Sequence, residues 1–215
     1  MAISEKQRQK KLQQKRQKRQ LAVQAARRST AAPRKASQFA HLPVHECLIP
    51  ENLFDVGIGS LIWARRAGGG QLAVSAFVLD VFCLGVKNAM FRGLDERVYE
   101  EEMKPSLTAA AEGAAFQTLH PTCMRKLIEG AVDYASDLGF QPHRDYRDAK
   151  GIFGDVDAMA CPTRFEYGQN GKPFYIRGPK ESIAQAKRIV QQLEKRCGED
   201  NYHYLVAVDD PRDAD

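Results

Sequence analysis

The chain of 215 residues offers no apolar run long enough to cross a bilayer. Its longest such stretch, Phe77 to Val86, is broken by Asp80 and falls well short of the roughly 20 residues a spanning helix needs. No membrane partner is expected. The sequence also lacks any Cys-x-x-Cys pair: Cys47, Cys83, Cys123, Cys161 and Cys197 stand far apart and are odd in number. That spacing speaks against a disulfide framework and against structural zinc, which normally takes closely paired ligands. The N-terminus lacks the apolar segment of a secretory signal, so the expected setting is the reducing cytoplasm, with the thiols used as small core residues. Neither Gly-x-x-x-x-Gly-Lys nor Gly-x-Gly-x-x-Gly occurs, which leaves nucleotide binding with only generic geometry such as the Gly178-Pro179-Lys180 helix entry.

What the chain does have is a divided charge. The total of 32 Lys plus Arg and 27 Asp plus Glu gives a net charge of +5. Residues 1 to 35 hold twelve of those bases and one acid, Glu5, a net of +11. Removing them leaves 20 bases and 26 acids, so residues 36 to 215 carry −6. The basic character belongs to the N-terminal arm alone. Residues 4 to 28 are rich in Lys, Arg, Gln and Ala without Gly or Pro, and have almost no apolar periodicity. Such a segment has high helix propensity and nothing to bury, so it is expected to be helical or disordered until a polyanion neutralises it.

Three regions are expected: a basic arm and hinge over 1–38, one folded unit over 39–208, and an acidic tail over 209–215. Within the folded unit, Ile58 to Arg66 and Gln71 to Leu84 are rich in β-formers around Ala67-Gly68-Gly69-Gly70 and predict a hairpin. The second strand is apolar on both faces, as a central strand is. Met124, Leu127, Ile128, Ala131, Val132, Ala135 and Leu138 recur at helical steps, with Gly139-Phe140 as a C-terminal cap. A shorter helix is expected around Leu107 to Phe116. Asn170-Gly171 between Arg164–Tyr167 and Phe174–Arg177 predicts a second hairpin. A helix opened by Pro179 and stopped by Gly198, then a strand over Tyr202 to Val208, complete the order. The pattern predicts an α+β fold: two layers, with a largely antiparallel sheet and helices.

The arm points to nucleic acid. Each phosphate neutralised by Lys or Arg releases a counterion, so Lys10, Lys11, Lys15, Arg16, Lys18 and Arg19 are expected to bind RNA or DNA nonspecifically. The arm contains no aromatic residue to stack on bases and gives no base readout. A ribosome or an acidic protein would present a similar target, and a noncatalytic adaptor is one alternative.

Asp80 is the second feature, because a carboxylate inside an apolar strand needs a cation, hydrogen-bond donors or a metal. One reading pairs it structurally with Lys87, Arg65 or Arg66. The other makes it catalytic with His143 as proton shuttle, and groups Asp80, Asp145, Asp155 and Asp157 around Mg²⁺ or Mn²⁺ in a phosphodiester hydrolase. No cofactor is expected outside that enzyme reading. His41, His45 and Cys47, and separately His120 and Cys123, can be drawn as mixed zinc ligands, but neither completes a tetrahedral set.

Overall fold

A computed structural model describes residues 35–109, 114–179 and 181–206. The arm residues Lys10, Lys11, Lys15, Arg16, Lys18 and Arg19, Lys180 and the acidic tail lie outside the described residues. The chain divides into two units at Arg34/Lys35. The second unit already includes Ala36, which the sequence places in the hinge: with Phe39 it is buried in a 3₁₀ turn over Ala36–Phe39.

The fold is α+β. Five strands, β1 (Val44–Pro50), β2 (Ile58–Gly68), β3 (Gln71–Asp80), β4 (Gly85–Asp95) and β5 (Phe116–Thr118), form a sheet in the order β4-β3-β2-β1-β5. Every pairing in it is antiparallel. The glycine turn joins β2 to β3 as expected, and β3 is interior. Period-two alternation sends Leu61, Trp63, Phe77 and Leu79 to one face and Ile62, Ala64, Leu72 and Val74 to the other.

The first face is covered by helix α1 (Pro121–Asp137), whose buried side chains are Cys123, Met124, Leu127, Ile128, Ala131 and Ala135. Its end follows the expected cap. Gly139 takes a φ of 88°, and the Phe140 amide donates to the Ala135 carbonyl at 2.9 Å. The second face carries a smaller cluster of Leu48, Ile62, Ala64, Leu72, Val74 and Tyr99, with Met103 and Leu107 against it. These last three come from a helical segment that runs α over Glu96–Val98, π over Tyr99–Met103 and α over Lys104–Ala109. The helix expected around Leu107 to Phe116 is therefore displaced. Its described residues are helical only to Ala109, residues 110–113 lie outside the description, and Phe116 begins β5.

Helix α2 (Ile183–Cys197) is capped by Ser182, whose hydroxyl accepts from the Gln185 amide, and it ends at Gly198 with a φ of 81°. It packs Ala186 and Leu193 against Cys83, Leu84, Leu138 and Tyr175. The expected second hairpin is only half correct. Asn170 and Gly171 do turn at positive φ, and Gln169 bridges Lys172. Residues Arg164 to Tyr167, however, form no strand; β6 (Phe174–Ile176) pairs in parallel with β7 (His203–Leu205) instead. Pro173 has no amide to donate toward a preceding strand, and its carbonyl accepts from His203 at 2.8 Å.

The thiol expectation is overturned for two cysteines. Cys123 at the start of α1 and Cys161 are joined by a disulfide across 38 residues, leaving Cys47, Cys83 and Cys197 free. The pairing is invisible in the sequence because the residues meet only when the segment after the 3₁₀ turn Ala158–Ala160 packs on α1. Two consequences are measurable. The denatured, unreduced chain should titrate three thiols and the reduced chain all five. Removing the bridge by Cys123→Ala with Cys161→Ala should lower the unfolding free energy measured in urea, by up to about 4 kcal/mol on the chain-entropy relation for such a loop. Five thiols before reduction would contradict the bridge.

Candidate functional site

Asp80 closes β3, is 6% exposed, and makes no ion pair among the described residues. Its Oδ1 accepts the amides of Phe82 at 3.0 Å and Cys83 at 2.8 Å. The alternation expected to continue to Leu84 stops here because these bonds fold residues 81–84 into a turn. Val81 and Phe82 then both face the main core, while Cys83 and Leu84 both face α2.

The expected partners of Asp80 are engaged elsewhere. Lys87 lies near enough to lower the Asp80 pKa, yet its ammonium bonds Glu181 at 2.6 Å, and Glu181 also accepts from the Tyr175 hydroxyl at 2.6 Å and the Gly178 amide at 3.1 Å. Arg65 is buried and donates to three main-chain carbonyls, those of Leu42, Ile152 (2.7 Å) and Phe153 (2.9 Å). Arg66 points to Glu96 at 3.5 Å.

The proposed metal set does not gather. His143 and Asp145 are neighbours, with His143 Nδ1 at 3.8 Å from Asp145 Oδ2, and His143 lines a cleft of about 370 Å³ with Asp133, Arg144, Arg147 and Lys150. Asp157 caps the short turn at Ala158 by accepting the Met159 amide at 2.8 Å. Asp155 lies near enough to Arg65 to oppose slightly the burial that lowers the Arg65 pKa, without forming an ion pair with it among the described residues. Asp80, Asp145, Asp155 and Asp157 do not converge on one point. Of the mixed zinc ligands, Cys123 is consumed by the disulfide and Cys47 is buried, with its thiol pushed up to about 12 by burial.

Among the described residues, three metal-capable side chains do converge: His45, Glu46 and Glu100, whose ligand atoms all lie within 4.8 Å of one another. Two backbone irregularities put them there. In β1, Val44 opposes Arg65 and Glu46 opposes Ala64, so His45 is the extra residue of a β-bulge. The bulge turns consecutive side chains to the same face: the His45 ring meets Tyr99 edge-on at 6.3 Å, and Glu46 accepts the Tyr99 hydroxyl. From the other side, the π-turn Tyr99–Met103 presents Tyr99 and Glu100, followed directly by Lys104. Bulges and π-turns both recur at functional sites because each re-aims side chains at some cost in regular hydrogen bonding.

The electrostatics of this cluster are uneven. Lys104 Nζ lies 3.0 and 3.1 Å from the two Glu46 oxygens and 3.4 Å from Glu100. Burial works to lower the Lys104 pKa, but the bond to Glu46 and the charges of Glu46 and Glu100 outweigh it and raise the group. The Tyr99 phenol is pushed well up by burial and by its bond to Glu46. His45 is different. Its side chain is 13% exposed, its buried Nδ1 has no hydrogen-bond partner among the described residues, and its Nε2 stands 3.8 Å from Glu100 Oε1, too far for a hydrogen bond.

The sequence reading grouped His45 with His41 and Cys47 and missed the two glutamates. The available signal was local: Val44-His45-Glu46-Cys47-Leu48 breaks strand alternation with two adjacent polar residues.

Asp80 yields a test of pH dependence. Burial raises its carboxyl from 3.8 to about 6, against the opposing pull of Lys87 and the amide donors. The folded chain therefore holds this proton more tightly than the unfolded chain does. The resulting stability is full below about pH 4 and is lost as pH rises through about 6. Asp80→Asn keeps an acceptor for the amides but cannot ionise. Its urea-derived stability should fall less than wild type between pH 4 and pH 7, by about 2 kcal/mol. Asp80→Ala, which strands the amides, should cost about 1–3 kcal/mol per unsatisfied group at any pH. Identical pH profiles for wild type and Asp80→Asn would rule out this role.

Comparison of the chain with protein-family models, with curated proteins and with solved structures finds no match.

Proposed function

We propose that the chain associates with nucleic acid, binding RNA or DNA phosphates nonspecifically through its basic N-terminal arm. The observation that carries this reading is the partition of charge: +11 over residues 1 to 35 against −6 over the remainder. A solubility tail would gain little from such segregation, whereas phosphate binding gains from every adjacent cation through counterion release. The absence of aromatic residues from the arm fits backbone contact without base stacking. Any selectivity comes from the folded unit.

Cytoplasmic location belongs to the same expectation; of its two supports, the missing secretory segment and the unpaired thiols, the Cys123–Cys161 bridge weakens the second. No described helix is long and apolar enough to cross a membrane. The enzyme reading centred on Asp80 and His143 gains no support from the geometry, since Asp80 is enclosed by its own turn.

The test is a salt titration on the full chain. The logarithm of the binding constant for duplex DNA should fall linearly with the logarithm of salt concentration, at about 0.9 per phosphate neutralised. Replacing Lys10, Lys11, Lys15, Arg16, Lys18 and Arg19 together by Gln should flatten that slope by up to about five. An unchanged slope refutes the proposal. Capture of a partner that survives nuclease treatment and depends on the same six residues would favour the adaptor reading, in which the arm docks an acidic protein.

A further inference from the structure

We propose that His45, Glu46 and Glu100 form a binding site for a divalent first-row transition ion such as Zn²⁺, with Lys104 as its built-in competitor. The site is independent of the arm.

The donor set is one imidazole and two carboxylates, with ligand atoms no more than 4.8 Å apart. Donors held at about 2.0–2.2 Å around one tetrahedral zinc lie between three and four ångström from each other, so only a small closure is needed. The His45 Nε2 to Glu100 Oε1 separation of 3.8 Å already falls in that range. Imidazole favours Zn²⁺, Co²⁺ and their neighbours over Mg²⁺ and Ca²⁺, whose sites are built from oxygen.

The imidazole supplies an observation separate from the carboxylates. A largely enclosed histidine normally fixes its tautomer by hydrogen bonding through at least one ring nitrogen. His45 does so through neither: Nδ1 is buried and unpartnered, and Nε2 faces a carboxylate beyond bonding distance. The nitrogen facing the carboxylate is Nε2, and with Nδ1 bonded to nothing among the described residues no hydrogen bond holds the proton on Nε2, whose lone pair is then free for a cation. The β-bulge at His45 is the device that holds it there, because regular pairing would put His45 and Glu46 on opposite faces of the sheet.

Lys104 accounts for the cluster's charge when no ion is bound. Its ammonium bridges Glu46 and Glu100 and so occupies the same electrostatic position that a metal would. It is partly exposed, on a long flexible stem at the start of a short helix, and can swing into solvent without disturbing the sheet. Glu100, 46% exposed on its side chain, marks the face through which an ion enters and leaves a coordination position open to water.

Co²⁺ provides the probe, since its visible spectrum reports coordination directly. The full-length chain with Cys197→Ser, which removes the one partly exposed free thiol, is titrated with Co²⁺ and then back-titrated with Zn²⁺. One equivalent should bind, with a spectrum of nitrogen and oxygen ligation and no thiolate charge-transfer band. His45→Gln should abolish the visible Co²⁺ absorption of the bound ion, and Glu100→Gln, at an exposed position, should weaken binding at least tenfold without loss of the fold by circular dichroism. Lys104→Gln should tighten binding roughly tenfold or more by removing the competing charge. No His45-dependent band at millimolar Co²⁺, or Lys104→Gln leaving the affinity unchanged or weaker in a folded chain, overturns the proposal. Neither outcome bears on the salt dependence of nucleic-acid binding, so the two readings fail separately.

Discussion

The acceptance of two main-chain amides by the buried Asp80 carboxylate sets the end of the central strand and the shape of the turn beyond it. The neighbouring groups of that turn then anchor three other parts of the fold. The Val81 amide donates to Gly57, the Val81 carbonyl accepts from Gly168, and the Phe82 carbonyl accepts from Phe174. Each bond is 2.8 to 3.1 Å long. Gly57 is itself dictated by this turn: its φ is 84°, and a Cβ there would sit 2.0 Å from the Phe82 ring. The short helix before β2, the Gly168 turn and the entry to β6 are thus all indexed to one carboxylate. Burying that charge is costly, and the amides and nearby Lys87 recover only part of the cost, which is why the carboxyl titrates high.

Arg65 solves the opposite problem in the same way. Its guanidinium, buried on β2, finds no carboxylate within ion-pair distance among the described residues and is satisfied by the carbonyls of Leu42, Ile152 and Phe153 while lying over the Trp63 ring. Five donors in a planar fork suit this role better than a lysine ammonium would. The segment it gathers, Lys150–Phe153, also packs Phe153 against Trp63 and Phe77, so a polar device positions an aromatic cluster. Asp80 and Arg65 could have been read as partners in the sequence. Keeping them apart lets each organise a different irregular segment through main-chain bonds, where one mutual ion pair would have organised neither.

Sequence legibility follows the range over which each signal acts. The β2–β3 hairpin, α1 with its Gly139 cap and the Asn170-Gly171 turn were readable because turn chemistry and apolar periodicity are local. β4 was not read: Gly85–Asp95 mixes Lys87, Asn88 and Arg92 among its apolar residues, and it is a strand because β3 offers a full register of partners. The β6–β7 pairing and the Cys123–Cys161 bridge join residues distant in sequence, and no local pattern announces either. Around the candidate site, the sequence offers His45 beside His41 and Cys47, whereas the fold groups it with Glu46 and Glu100. Glu46 and Glu100 reach it only through a bulge and a π-turn, and both are departures from the periodicities on which sequence reading rests.

Asp80 and His45 differ in how far their neighbours satisfy them. Asp80 is surrounded by donors whose own needs it fulfils, so its chemistry is spent in shaping a turn. Around His45, Glu46 is saturated by Tyr99 and Lys104, Glu100 is half open to solvent, and the imidazole between them makes no hydrogen bond among the described residues. A bulge costs regular ladder bonding and a π-turn costs regular helical bonding. Two such departures meeting at one under-satisfied ring do not increase the stability of the sheet, which Leu48, Ile62 and Val74 already secure on that face. What they provide is a fixed, partly open arrangement of one nitrogen and two carboxylates, held by a core that does not depend on it.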